Sequence, residues 1–235
     1  ASRYATIAGG RRNALGTNSP GSAIGGGSDN AVIGNTAYGT VAGGLRNQLG
    51  ASAPCSTVGG GSDNTIAGNA SYATIPGGRS ALAVNYAQMA FAGGQFAAPG
   101  DTQSSTYVLR RSVNTGWSDE YSELFLNGTS GRITIGPDRA VVFDGLLIAF
   151  GQDHRTTGFR LFGLFKRVGN TTRKVWGWAT SEYDESQMHD REARIEADDK
   201  NDALIISVRN GTLWAGGPEG EVRWVATIRT AEVAW

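Results

Sequence analysis

The sequence is short of several things, and each shortage excludes something. It holds one cysteine, Cys55, so no disulfide can form within the chain, and Cys55 reads as a small apolar filler in a turn. Histidine occurs twice, and no zinc-ligand spacing, phosphate-binding loop or nucleophile–base–acid motif is present. No apolar run is long enough to cross a bilayer as a helix, and the first residues lack a signal-peptide pattern. Acidic and basic side chains balance at 21 each, which removes any global electrostatic argument for nucleic acid or an anionic membrane surface. Lysine is scarce, and all three lysines lie after residue 100, as do all six tryptophans. Glycine is distributed the other way, with 21 of 35 in the first hundred residues. The chain therefore divides into a Gly/Ala-rich front and an aromatic, charged back. Ala1 already lies inside a repeated phrase, so the sequence is expected to be a segment of a longer chain.

What is present is repetition. Thr6-Ile7-Ala8-Gly9-Gly10 returns as Ala23-Ile24-Gly25-Gly26-Gly27, Thr40-Val41-Ala42-Gly43-Gly44, Thr57-Val58-Gly59-Gly60-Gly61, Thr74-Ile75-Pro76-Gly77-Gly78 and Ala90-Phe91-Ala92-Gly93-Gly94. The branched apolar position steps from Ile7 to Ile24, Val41, Val58 and Ile75 in intervals of 17, then by 16 to Phe91. So short a period means stacked supersecondary units. Each unit has two short apolar pulses separated by a Gly-Gly-x-x-Asn turn, and glycine and asparagine tolerate left-handed backbone. Two strands and two turns per unit predict a coil of a parallel β-solenoid; runs of glycine exclude helix. Six coils at the inter-strand spacing would form a rod roughly 25–30 Å long.

Stacking predicts columns. Thr6, Ala23, Thr40, Thr57 and Thr74 form one on the strand surface. Asn13, Asn30, Asn47 and Asn64 form a second, whose amides can hydrogen-bond from coil to coil. Arg12, Asp29, Arg46 and Asp63 form a third, alternating in charge, which doubles the period to 34 and disfavours a slip of one coil. Asp29 and Asp63 would lie roughly 9–10 Å apart, near the spacing of an inverting glycosidase pair. The flanking arginines should keep both ionised, so a structural ladder is the preferred reading. The Gly25–Asn30 and Gly59–Asn64 segments lack the nine-residue period of calcium-binding repeats, and no metal site is expected. A coil this thin buries little surface alone. Packing one side against two other copies would supply the missing core, so a homotrimer is expected, although a dimer would also bury a face.

The Thr-Ile/Val-x-Gly-Gly-x-x-Asn-x-x-x-Gly pattern of residues 4–94 resembles the YadA-like head repeats of trimeric autotransporter adhesins, and the similar repeats in phage tail-fibre shafts. The resemblance implies a left-handed parallel β-roll with three chains side by side.

The repeat fades after Gly78, and Ala97–Asp101 reads as a linker. The expected division is a β-roll shaft over 1–96, a linker over 97–104 and a second domain over 105–235. Nine strand-like runs alternate there with Gly/Asn/Asp turns, near Tyr107–Val113, Tyr121–Leu126, Arg132–Ile135, Ala140–Phe150, Phe159–Val168, Lys174–Thr180, Glu192–Ala197, Leu204–Arg209 and Val222–Arg229. This predicts an antiparallel β-sandwich of jelly-roll type. The fold class is thus all-β. Val141–Phe150, apolar almost throughout, is expected as a central strand buried on both faces. Gly145–Ile148, Arg160–Arg167 and Arg223–Thr230 resemble the C-terminal domains of phage tail-fibre chains, which implies a trimeric tip that binds a receptor or nucleates the trimer.

Candidate ligand-binding residues lie in loops of this back half. Trp214, in Asn210–Gly220, and Trp117, in Asn114–Glu120, are platforms on which a sugar ring could stack, or tryptophans folded back onto the domain. His154 and Arg155, beside Asp153, form a polar loop with no nucleophile at motif spacing. Trp176 and Trp178 share one strand face and read as core or subunit interface. Glu182–Glu185 with His189 and Asp190 reads as a solvated charged turn rather than a cation site. The expected function is the receptor-binding distal part of a phage tail fibre, extracellular, trimeric and non-enzymatic, binding a host-surface glycan or protein without cofactor, nucleic acid or membrane insertion. A bacterial autotransporter-type adhesin and a polysaccharide-degrading tailspike are the alternatives.

Overall fold

A computed structural model describes residues 2–114, 120–152, 154–184, 191–210 and 220–235. Among these residues every regular element is a strand, and the protein is all-β. Two compact units are present: residues 1–106 with 231–235, and residues 107–230.

The first unit is a β-solenoid of about five turns with 17-residue repeats. One ladder stacks β1 (Thr6–Ile7), β3 (Ala23–Ile24), β5 (Thr40–Val41), β7 (Thr57–Val58) and β9 (Thr74–Ile75), all parallel. A second stacks β2 (Ala14–Leu15), β4 (Ala31–Val32), β6 (Gln48–Leu49), β8 (Thr65–Ile66) and β11 (Leu82–Ala83), also parallel, with β10 (Gly78–Arg79) between β9 and β11 in sequence. Both registers shift by 17, so equivalent residues stand above one another. Ile24, Val41, Val58 and Ile75 fill one side of the interior and Val32, Leu49 and Ile66 the other, all fully or almost fully buried. Each such side chain contributes about 1.5–3 kcal/mol by leaving water.

Where the sequence predicts two turns per coil, the backbone makes three left-handed corners. They fall at Arg12, Asp29, Arg46, Asp63 and Ser80; at Asn18, Asn35, Ser52 and Asn69; and at Tyr4, Gly21, Tyr38, Cys55 and Tyr72. The coil is thus three-sided, with strands on two sides, and the third side is too short for one. Its interior holds hydroxyls in the earlier coils and Ala53, Ala70 and Ala73 in the later ones, and Ser22, Thr36 and Ser56 each donate to the carbonyl of the residue fourteen positions on. The doubled glycines permit the close stacking: a Cβ on Gly27, Gly44 or Gly61 would fall 2.1, 2.2 or 2.0 Å from the carbonyl oxygen of the next coil.

The sixth phrase departs from the expected alignment. β12 (Met89–Gly93) pairs with β9 through Met89 and Thr74, so Ala90 rather than Phe91 stacks on Ile75. Ala90 is buried and Phe91 exposed, because the larger ring would not fit the coil interior. The parallel ladder ends there. β13 (Thr102–Asn114) runs antiparallel to β12, and Gln103 closes the second ladder by pairing with both backbone groups of Leu82, accepting from its N–H and donating to its carbonyl, each at 3.0 Å. Between them, the Asp101 carboxylate accepts the N–H groups of Phe96, Ala97 and Ala98.

The second unit is built of antiparallel sheets. One orders β13, β21 (Glu221–Ala234), β16 (Arg139–Gly151), β17 (Thr156–Val168) and β18 (Thr171–Asp184). In the other, β20 (Ala203–Asn210) pairs along one edge with β14 (Ser122–Glu123) and β15 (Ile133–Thr134) and along the opposite edge with β19 (Arg191–Asp198). Phe143, Phe159, Leu161, Phe165 and Trp224 from the first sheet and Ile195, Leu204, Ile206 and Val208 from the second form the buried core. The two sheets touch where Gly177 leaves room for Ile195.

β16 is central in its sheet but buried on one face only. Val141, Phe143, Leu147 and Ala149 point inward, whereas Leu146 is 69% and Ile148 53% exposed. The described residues of this unit supply a packing layer for just one side of this sheet. On the same open face Phe162 lies against Trp176 and Trp178, with ring centroids 5.6 and 6.3 Å apart. Trp176 and Trp178 are therefore outer-face residues and not part of the core. The outer face of the other sheet is ionic, with Arg132 paired to Glu123 and Arg209 to Glu192.

Candidate functional site

Within the second unit, four strand connections start and finish at one end. Asn210, at the end of β20, donates through Nδ2 to the Val113 carbonyl near the end of β13. The β16–β17 hairpin closes through Gly151 N–H to Arg155 O at 3.1 Å. Gln152 and Glu221 exchange backbone and side-chain bonds, which ties this hairpin to the start of β21. Arg191, at the start of β19, donates through Nη1 to the Thr157 hydroxyl at 3.2 Å and to the Arg155 carbonyl at 3.4 Å. The segments 115–119, 151–155, 185–190 and 211–219 thus leave neighbouring strand ends. Ser112 reinforces the arrangement by donating to the Glu221 carboxylate, which lies below the usual carboxylate range because of that bond and a second from Arg223.

Of the residues singled out from sequence, His154 and Arg155 sit in the hairpin turn, both exposed. His154 has left-handed backbone, with its ring 6.0 Å from that of Phe150. Trp117, Trp214, Asp153, Glu185, His189 and Asp190 lie outside the described residues, and all six belong to the connections whose bases meet here.

Charged clusters elsewhere are paired internally. Tyr121 and Arg209 both donate to the Glu192 carboxylate, and Arg194 lies 3.7 Å over the Tyr121 ring. The hydrogen bond from Tyr121, joined by those from Arg209, holds Glu192 below its ordinary range against the opposing effect of burial. Burial, with the bond to Glu192, pushes Tyr121 upward. Arg132 makes a two-pronged bond to Glu123 at 2.7 and 2.8 Å. Carboxylates fixed in the ionised form suit structure better than proton donation. Among the described residues no group of three or more metal-ligating side chains is present, and no helix is long and apolar enough to cross a membrane.

No family model matches the chain, and no curated protein does. Among the solved structures that are similar in part are two phage tailspike proteins. The tailspike protein of Acinetobacter baumannii phage AM24 is 7% identical, with a TM-score of 0.27 over 94% of this chain and 47% of that one. The tailspike protein of Acinetobacter phage vB_ApiP_P1 is 10% identical, with a TM-score of 0.26 over 91% of this chain and 51% of that one. The chain spans about half the length of either tailspike. Likeness at this level is below what a shared overall fold requires.

In the solenoid, the four asparagines line the interior of one corner, and only Asn13, in the first coil, is not fully buried. Arg46 grips Asp63 with two bonds, 2.6 and 3.0 Å, whereas Arg12 and Asp29 stand 3.7 Å apart. Asp63 is held below the ordinary carboxylate range chiefly by the Arg46 bond, and Asp29 chiefly by the Ser28 hydroxyl. Neither is poised as a general acid. Sequence reasoning missed the tyrosines at the third corner, whose signal was a second 34-residue alternation, Tyr4, Tyr38 and Tyr72 with Gly21 and Cys55 between.

Proposed function

We propose that this chain is the distal, receptor-binding part of a phage tail fibre or tailspike, a homotrimer that attaches to a host cell-surface glycan or protein. The carrying observation is the meeting of four connections at one end of an antiparallel two-sheet unit. Variable loops on such a scaffold are a common way to build a binding surface, since the strands fix the loop bases while the loops vary. His154 and Arg155 lie there, and Trp117 and Trp214 belong to the same connections. The trimer reading is supported by the open face of the first sheet, where the large apolar side chains of Leu146, Ile148 and Trp176 stand exposed with Arg160 among them, a mixture that suits contact with another copy. Binding rather than cleavage is favoured by the arginine-paired state of the described carboxylate clusters.

The test is binding of fluorescently labelled chain to a panel of bacterial strains. Saturable binding to a subset of strains, lost in Trp214→Ala or Arg155→Ala with an unchanged circular dichroism spectrum, is expected. Absence of binding across the panel, or release of new reducing ends from purified surface polysaccharide, would overturn the reading.

A further inference from the structure

The third side of the solenoid is a narrow edge between two left-handed corners, three residues apart. At one stand Asn18, Asn35, Ser52 and Asn69, all exposed, with Asn18 Nδ2 donating to Asn35 Oδ1 at 2.9 Å. At the other stand Tyr4, Gly21, Tyr38, Cys55 and Tyr72. Tyr4, Tyr38 and Tyr72 are 90%, 66% and 53% exposed. The constant 17-residue register sets these tyrosines in one line, about 9.6 Å apart at twice the inter-strand spacing.

The backbone does not ask for tyrosine here. At Tyr4, Tyr38 and Tyr72 φ is 61°, 57° and 61°, a region that bulky side chains avoid. Gly21 closes the same corner at φ 66° without that strain. Nor does the interior ask for it, since the rings are outside. Glycine in the alternate coil has a definite effect instead: a Cβ on Gly21 would lie 2.7 and 2.8 Å from Cδ1 and Cε1 of Tyr38, so the ring rests over the preceding coil. At the far end Tyr72 is braced by Tyr86, with ring centroids 5.3 Å apart. Strained aromatic residues, held in a line and left in solvent beside a row of amides, have the character of a recognition surface.

We propose that this edge binds an extended linear polysaccharide lying along the rod, with every second sugar ring on a tyrosine. The apolar C–H face of a pyranose stacks on a tyrosine ring, while its hydroxyls meet amides such as Asn18, Asn35 and Asn69. The two-coil spacing is close to the length of a disaccharide in an extended β-1,4-linked chain, so the chain and the solenoid keep step. This site is separate from the loop end of the second unit and does not depend on the function proposed for it.

The experiment is native affinity electrophoresis through gels containing hydroxyethyl cellulose or glycol chitin. Wild-type protein should be retarded in at least one gel. Y38A/Y72A should bind about tenfold more weakly, from the loss of two ring contacts, and Y38F/Y72F should bind as wild type. Should Y38A/Y72A unfold, Tyr4→Ala on the most exposed ring makes the same test. Absence of retardation in both gels, or equal retardation of wild type and alanine variants, would overturn the proposal. So would a fall in oligomer mass in Y38A/Y72A by light scattering, which would make the edge a contact between copies.

Discussion

Asn47 Oδ1 accepts the backbone N–H of Asn64 at 3.1 Å, one coil on. The same side chain donates through Nδ2 to Gly43 O at 2.9 Å and Gly61 O at 3.0 Å, and the Asn47 N–H in turn donates to Asn30 Oδ1 at 2.9 Å. One buried amide thus closes its own corner and fastens the next coil. Asn47→Leu would strand the Asn64 N–H and the Gly43 carbonyl, while Gly61 O keeps the Leu45 N–H, with an expected loss of about 2 kcal/mol or more. Asn13→Leu, at a more solvated position, should lose only about 1 kcal/mol because water replaces the missing partner. Urea unfolding of both variants decides it; equal losses would mean that the bonds, as drawn, do not hold the coils.

Gly43 and Gly44 are neighbours in sequence with opposite requirements. Gly44 has φ +93°, and a Cβ there would fall 2.2 Å from Gly61 O and 2.6 Å from Asn47 Nδ2. At Gly43 the nearest atom to a Cβ is 4.0 Å away and φ carries no penalty. Gly44→Ala is expected to destabilise by at least about 2 kcal/mol, whereas Gly43→Ala should be neutral or stabilise by a few tenths through the unfolded chain. Thermal melts of the pair suffice, and a destabilised Gly43→Ala beside a tolerant Gly44→Ala would contradict the stacking described.

The solenoid was legible because its cause is local and repeated. Ile24, Val41 and Val58 point inward for the same reason, and any one predicts the others. The nine strands among the described residues of the second unit were placed by turn chemistry, though most run longer than the apolar runs that announced them. What the sequence hid were features without a repeat. Gln103 stands in for a missing coil against Leu82 from outside the periodic region, and nothing near either residue signals the other. Phe91 matched the phrase but not the stacking, because the last step is 15 residues in space, from Thr74 to Met89, and not 16. Apolar content in β16 could not distinguish a strand covered on both faces from one that leaves Leu146 and Ile148 bare. The candidate loops were recognised one at a time, and their common end depends on strand order, which single loops do not encode.

Acid should weaken this protein, and the sign follows from the shifts. Asp63 and Asp29 are both depressed in the folded state, as are Glu192, Asp198 and Glu221. A depressed carboxylate contributes stability above its unfolded pKa and loses it as pH falls through the folded one. Stability should therefore be nearly level between about pH 7 and pH 5 and decline below about pH 4. Asp63→Asn should reduce the acid slope while changing little at neutral pH, since the Arg46 pair is exposed and screened by solvent and salt. Denaturant midpoints at pH 7, 5 and 3 give the comparison; a slope unchanged by Asp63→Asn would remove this residue from the account.

The bare face of the first sheet in the second unit predicts association, and Leu146 is the residue to change. Its side chain is 69% exposed and sits on β16 opposite Arg160 of β17, which is exposed on the same face. The inward neighbours Val141, Phe143 and Leu147 already complete the core of the unit, so Leu146→Glu should leave the fold intact. A charge at the middle of a face covered by another copy would have to be desolvated, a cost that pairing with Arg160 across the strands offsets only in part. Wild-type protein is expected to sediment with the mass of three chains and L146E with that of one, both keeping their circular dichroism. The ionic outer face of the other sheet supplies the control: Arg194→Glu there should change the sedimentation mass not at all. If wild type sediments as a single chain, or if R194E dissociates the oligomer and L146E does not, the covered face is not this one.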